Sequence, residues 1–115
     1  MRELTVFKNL TAGSSNTVYT VPKGCKAIAT LLFLSNSGGT TKAISAAVHD
    51  VSEAATVPIV GAKSLGAGDY LMFDQGGRMV LDEFDYLTAT PEAGSTMSCI
   101  FTIEIHQSMS YQNGS

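Results

Sequence analysis

Tryptophan is absent from the sequence, and charged side chains make up only 15% of its 115 residues. An ordinary soluble domain carries about 25% charged residues. Because charge is depleted at the cores of protein interfaces, this composition favours a chain that packs laterally against other subunits. The alternative is a monomer whose surface is rich in Thr and Ser. The absence of Trp also argues against a carbohydrate-binding module, since no indole ring is available to stack on a sugar.

Positive charge is too scattered to indicate nucleic-acid binding. The net charge is −3, and of seven Lys and Arg residues only Lys23 and Lys26 lie close together. Nucleic-acid binders show a basic patch, so we expect no binding to DNA or RNA. No run of about 18 apolar residues is present, so we expect no membrane span. The first ten residues, MRELTVFKNL, lack the apolar region of a secretion signal. We therefore expect a product that stays in the cytosol where it is made, or that leaves inside a particle.

The chain has two cysteines and two histidines, which leaves little material for catalysis. Cys99 and His106 are seven residues apart on one predicted strand, so they face opposite ways about 23 Å apart at ~3.3 Å per residue. The Gly-x-Ser-x-Gly turn of serine hydrolases is absent. Nothing in the spacing supports a Cys25–Cys99 disulfide, and cytosolic disulfides are rare. We therefore expect no enzyme and no cofactor; a small hydrolase using His49 or His106 is the weakest alternative.

Three neighbouring acidic residues, Asp82, Glu83 and Asp85, are the candidate ligands for a metal ion. Together with Asp74 they could offer hard oxygen ligands to Ca²⁺. They lack the alternating spacing and the glycine of an EF-hand loop. Acidic clusters of this kind are most often solvated surface. We predict a turn between two short strands and no metal site.

Short segments that favour β-strands alternate with Gly, Pro, Asn and Ser. We predict a helical turn over residues 52–55, capped by Ser52, and a sheet-edge strand around Pro58. The last strand should bury every second residue, with Ile100 on its outer side. The predicted strands cover residues 3–10, 17–21, 26–35, 41–50, 57–60, 69–73, 78–81, 86–90 and 96–107.

This pattern predicts an all-β fold, a single antiparallel β-sandwich of about eight strands over residues 1–115. A jelly roll is one way to connect eight such strands. Residues 1–14 supply the N-terminal strand and its loop, and residues 108–115 form a polar tail. No helix of useful length and no internal repeat is expected.

The strand at residues 26–35 is apolar on both faces, and this is the most informative feature of the chain. Alternate residues of a strand point to opposite faces. One face carries Ala27, Ala29, Leu31 and Phe33, and the other carries Ile28, Thr30, Leu32 and Leu34. A two-layer sandwich needs one face for its own core, so the other should pack against another subunit. We predict that the subunit interface includes Leu32 and Leu34, together with Val6 and the tail near Tyr111.

Two long motifs give a resemblance to a family. The segments TVYTVPKGCKAIATLLFLSNSGG, at residues 17–39, and SLGAGDYLMFDQGGRMVLDEFDYLTATPEAG, at residues 64–94, resemble small bacteriophage virion structural proteins. The closing strand FTIEIHQ fits as well, and the likeness covers most of residues 15–107. One departure is Phe84, which stands where such proteins often place Gly before Asp85. We therefore expect the turn at residues 82–85 to differ in geometry.

The resemblance implies a β-sandwich on a phage particle, made in the host cytoplasm and located in the virion. It implies a capsid decoration, or cement, protein that binds and stabilises capsid subunits. Its partners would be the major capsid protein or tail subunits and other copies of itself, often as trimers. The alternatives are a tail, neck or fibre component and a carbohydrate- or receptor-binding β-module. No catalytic residue is implied.

Overall fold

The computed structural model describes residues 2–73 and 79–107. Within these ranges the chain is all β, and no helix long and apolar enough to cross a membrane is found. The strands are β1 (Arg2–Leu10), β2 (Asn16–Thr20), β3 (Cys25–Asn36), β4 (Lys42–Asp50), β5 (Ala55–Leu65), β6 (Tyr70–Phe73), β7 (Met79–Leu81), β8 (Tyr86–Pro91) and β9 (Met97–Gln107).

Two antiparallel sheets pack face to face, which confirms the predicted β-sandwich. Sheet A has the order β1-β9-β3. On the edge of β3 that faces away from β9, β6 and β7 pair with different parts of the strand. Sheet B has the order β2-β8-β4-β5. The pairs are nested: β1 with β9, β2 with β8, β3 with β6 and β7, and β4 with β5. Nested pairs of this kind arise when one long hairpin folds over into two sheets, which is the arrangement of a jelly roll.

The core lies between the sheets and follows the period of the strands. On β9 the side chains of Met97, Cys99, Phe101, Ile103 and Ile105 are buried, and the residues between them are half-buried. This is the alternation predicted from the sequence. Leu34 of the neighbouring strand β3 and Ile44 and Leu87 of the facing sheet B complete one continuous cluster.

A β-bulge in β3 decides which side chains of this strand enter the core. The register with β9 shifts between Ala29 and Leu31, where one extra residue is inserted. Before the bulge Ala27 and Ala29 face the core, and after it Leu32 and Leu34 do, at 3% and 0% exposure. A bulge adds a residue to one strand only, so the strict alternation of faces breaks at that point. The prediction that Leu32 and Leu34 form the spare face is therefore wrong.

Two buried asparagines tie the loops to the sheets. Asn36, at 1% exposure, donates from Nδ2 to the carbonyl oxygens of Thr40, Leu65 and Gly66 at 2.9 to 3.2 Å. Its Oδ1 accepts the N–H of Gly38 at 3.0 Å. Asn16 makes a similar set of bonds around residues 11–14 and to Ala89. Each amide satisfies backbone groups that the ladders leave unpaired, which a buried loop requires.

The predicted helical turn over residues 52–55 is instead part of a tight turn between β4 and β5. Asp50, not Ser52, makes the capping contacts: its Oδ1 accepts from Ser52 Oγ at 2.8 Å and from the N–H of Glu53 at 3.2 Å. Ala54 has a positive φ of 52°, which ends any helical geometry. β5 then begins at Ala55 and lies at the edge of sheet B, as Pro58 predicted.

Candidate assembly surface

A row of apolar side chains crosses the outer face of sheet A. The strand register places Phe7 of β1 opposite Ile100 of β9, Ile100 opposite Phe33 of β3, and Phe33 opposite Met72 of β6. Residues paired directly across strands lie on the same face of a sheet. The four side chains therefore form one continuous line over four strands, which we call the apolar row.

The apolar row is open to solvent at both ends. Phe7 is 74% exposed and Met72 is 46% exposed. Tyr70, at 55% exposure, stacks on Phe33 with ring centroids 5.3 Å apart. The outer patch is defined as the apolar row with its apolar neighbours on the same face, namely Phe7, Leu31, Phe33, Tyr70, Met72, Val80 and Ile100.

The outer patch reaches the size at which an exposed apolar surface calls for an explanation. Aromatic side chains offer about 150–250 Å² each. From the exposed fractions of its members, the patch presents on the order of 500 Å², within the range of about 300–600 Å² that is often functional in a monomer. A patch of this kind fits a protein interface better than an unpaired surface.

A pair of hydroxyl side chains lies on each side of the apolar row. On one side Ser35 and Ser98 are paired through their hydroxyls at 3.0 Å, and on the other Thr5 and Thr102 are paired in the same way at 3.0 Å. An apolar centre surrounded by a polar rim is the usual anatomy of a protein interface.

Charge on this face is gathered at one end of the strands. Glu3 lies opposite Glu104, and His106 Nε2 is 3.4 Å from Glu104 Oε1. Lys26 lies opposite His106 at the same end. At the other end, Asn9 lies opposite Ser98, and both of these side chains are uncharged.

The predicted interface residues and the outer patch do not coincide. Leu32 and Leu34 are in the core, and Val6 is half-buried and packs against it. Tyr111 lies outside the described residues. The sequence did place Leu31 and Phe33 on a face of their own, opposite Leu32 and Leu34, but assigned that face to the core.

The two histidines lie on different sheets. His49 is on the outer face of sheet B, stacked on Tyr86 with ring centroids 4.3 Å apart. Its Nε2 lies 3.0 Å from Thr88 Oγ1, and its Nδ1 lies 3.2 Å from Thr56 Oγ1. Next to Thr88, bulges between β4 and β5 open a shallow concavity of about 220 Å³, lined by Ser45, Ala46, Ala47, Pro58, Val60, Gly61, Thr88 and Thr90.

The two cysteines are free and far apart. Cys25 is opposite Gln107 and Cys99 is opposite Leu34, eight residues further along β9. At ~3.3 Å per residue this separates them by about 26 Å, which is too far for a disulfide. Burial raises the pKa of the Cys99 thiol to about 12.

The acidic residues of the 82–85 turn hold the backbone. Asp85 is 7% exposed, and its Oδ1 and Oδ2 accept the N–H groups of Val51 and Asp82, each at 3.0 Å. Glu83 Oε1 accepts the N–H of Gly24 at 2.8 Å. No group of three metal-ligating side chains occurs in residues 2–73 and 79–107. Asp74 lies outside the described residues.

Phe84 occupies the turn position at which the resemblance would place glycine. Its φ is 71°, in the left-handed region that glycine adopts freely. The N–H of Phe84 donates to the carbonyl of Val21 at 2.8 Å, which ties the turn to the end of β2. The turn therefore keeps a backbone geometry suited to glycine although the side chain is large.

Comparison with known proteins supports the fold. No protein-family model matches the sequence, and no curated protein matches it. A solved structure of Bacillus endospore appendages, described as a novel family of disulfide-linked pili, superposes with a TM-score of 0.56. The match covers 93% of this chain and 86% of that chain at 14% identity. At this identity the likeness establishes a shared β-sandwich fold.

Proposed function

We propose that this chain is a non-catalytic structural subunit that packs against other subunits through the outer patch. The observation that carries the proposal is the exposed apolar row, from Phe7 across Ile100 and Phe33 to Met72. Burial of apolar area contributes about 25 cal/mol per Å² before the costs of association. A patch on the order of 500 Å² therefore offers a large driving force for docking.

For the particle itself, we propose a phage virion with this chain as a capsid decoration protein. The support is the resemblance of residues 17–39 and 64–94 to small virion proteins. The outer patch would bind the major capsid protein or further copies of the chain, and a place in the tail, neck or fibre is the variant of this proposal. Neighbouring genes for a portal, a scaffold and a shell protein would favour decoration, and neighbouring tail genes would favour the variant.

A second candidate is a subunit of a filament. The observation that favours it is the fold shared with the appendage structure over 93% of the chain. Negative-stain electron microscopy of the purified chain separates the two candidates, because a filament subunit polymerises on its own. A decoration protein instead forms small closed oligomers that add to shells.

Sedimentation velocity over a wide concentration range tests the common element of these proposals. The wild-type chain should form oligomers, and the double variant Phe7→Ser/Met72→Ser should remain a folded single chain because both side chains are largely exposed. Val57→Ser, at a residue of sheet B that is 55% exposed, is the matched control and should behave as wild type. A wild-type chain that stays single at every concentration would refute the proposal.

A further inference from the structure

We infer that the outer patch docks on the same patch of a second copy, around a two-fold axis that runs along the apolar row. This inference rests on the proposed function and specifies its first contact. In the resulting pair Phe7 lies over the partner copy's own Phe7, and the strands of the two facing sheets run in opposite directions.

The area of the outer patch fits this partner. Two copies of a patch on the order of 500 Å² bury about 1,000 Å² in total, near the lower limit for a specific interface. A two-fold contact uses the same surface on both copies, so one patch is sufficient for both sides. Sheets that pack face to face lie about 10 Å apart, so each side chain of the apolar row reaches its counterpart in the second copy.

The other large face of the molecule is a poor partner for the outer patch. On sheet B the register places Ser45 opposite Thr90, Ala47 opposite Thr88, and His49 opposite Tyr86. Covering these polar groups with Phe7 and Met72 would remove water from hydroxyls and leave them short of partners, which is costly. Contact between like apolar faces avoids that cost.

The charges of sheet A determine the direction of the axis. Glu3 and Glu104 lie at one end of the face, and Asn9 and Ser98 lie at the other. An axis along the strands would place the glutamates of both copies face to face, and like charges in an interface are unfavourable. An axis along the apolar row places the glutamate ends at opposite sides of the pair. The Thr5–Thr102 border of each copy then faces the Ser35–Ser98 border of the other.

Cross-linking between single-cysteine variants tests the geometry. Ser98→Cys and Thr102→Cys, each in a Cys25→Ser background, flank Ile100 on the outer face. With the axis along the row, residue 98 of one copy lies opposite residue 102 of the other across about 10 Å. Identical positions are about 17 Å apart in that arrangement, from ~3.4 Å per residue along the strand and ~10 Å between sheets.

A mixture of the two variants, treated with a short bis-maleimide, should therefore yield covalent dimer several-fold faster than either variant alone. Cys99 is buried and stays unmodified. Adding Phe7→Ser should raise the dissociation constant about a hundredfold or more, as for a hot-spot residue, and abolish the cross-link. Val57→Ser should leave both unchanged.

The remaining outcomes separate this inference from the proposed function. Faster cross-linking of identical variants would place the axis along the strands and overturn the inference. Oligomers that depend on Phe7 but give no cross-link would overturn it as well and leave the proposed function standing. A chain that remains single at all concentrations would overturn both.

Discussion

Replacement of Asp85 by Ala is expected to remove about 3 kcal/mol from the free energy of unfolding. The carboxylate is 7% exposed and accepts two backbone N–H groups, from Val51 and Asp82, each at 3.0 Å. Hydrogen bonds to a charged group contribute about 1.5–3 kcal/mol each. The substitution loses both bonds and leaves two amide groups unpaired, although water can reach part of the vacated space. The midpoint of thermal unfolding should fall by roughly 10 °C for a chain of this size.

Urea unfolding, followed by tyrosine fluorescence or circular dichroism, measures this loss directly. Asp82→Ala is the matched control, since Asp82 is exposed and its side chain makes no hydrogen bond among the described contacts. That variant should remain within about 0.5 kcal/mol of wild type. Asp85→Asn keeps one acceptor oxygen and should lie between the two. If Asp85→Ala unfolds within about 1 kcal/mol of wild type, the carboxylate does not hold the turn, and the structural role assigned to it fails.

Substitutions at Asn36 and Phe84, and chemical labelling of the cysteines, test other parts of the fold. Asn36→Ala should lower the free energy of unfolding in urea by about 2–4 kcal/mol because it leaves buried backbone groups unpaired. Asn36→Asp should lower it further because a carboxylate would face three carbonyl oxygens. An unchanged unfolding midpoint in either variant would contradict the role of Asn36. Phe84→Gly should raise the free energy of unfolding by about 0.5–1 kcal/mol, because glycine takes a φ of 71° without strain and the phenyl ring is 45% exposed. A loss of stability would contradict this and show that the ring has a packing role. In the native chain an iodoacetamide assay should label Cys25 and not Cys99. Cys99 is buried, and a thiol with its pKa raised to about 12 is almost entirely protonated, and so unreactive, at pH 8. Labelling of Cys99 at pH 8 without unfolding would refute its burial.

The outer patch and the low content of charged residues both fit the proposed role as a subunit. Sheet A buries one face against sheet B, and its other face keeps Phe7, Tyr70 and Met72 in water. A solitary protein gains nothing from that arrangement, whereas a subunit converts it into binding energy when it docks. The polar borders built from Thr5, Thr102, Ser35 and Ser98 limit how partners can approach.

Much of the sandwich could be predicted from local patterns. The clean alternation over β9 determines which residues of that strand are buried, because a half-buried strand has a period of two whatever its partners are. Pro58 marked an edge strand, since proline has no N–H group to donate to a neighbouring strand. The excess of apolar residues over residues 26–35 indicated that β3 has two apolar faces.

The sequence pattern does not reveal which face of β3 points into the core, because the tertiary structure sets it. The bulge between Ala29 and Leu31 turns Leu32 and Leu34 into the core and leaves Leu31 and Phe33 outside. No local propensity marks that extra residue, because its position depends on the register with β9. The apolar row is likewise a product of pairing among four strands that are distant in sequence, from Phe7 to Ile100. The number of apolar residues in the chain made an uncovered apolar surface necessary, and the register of sheet A fixed its position.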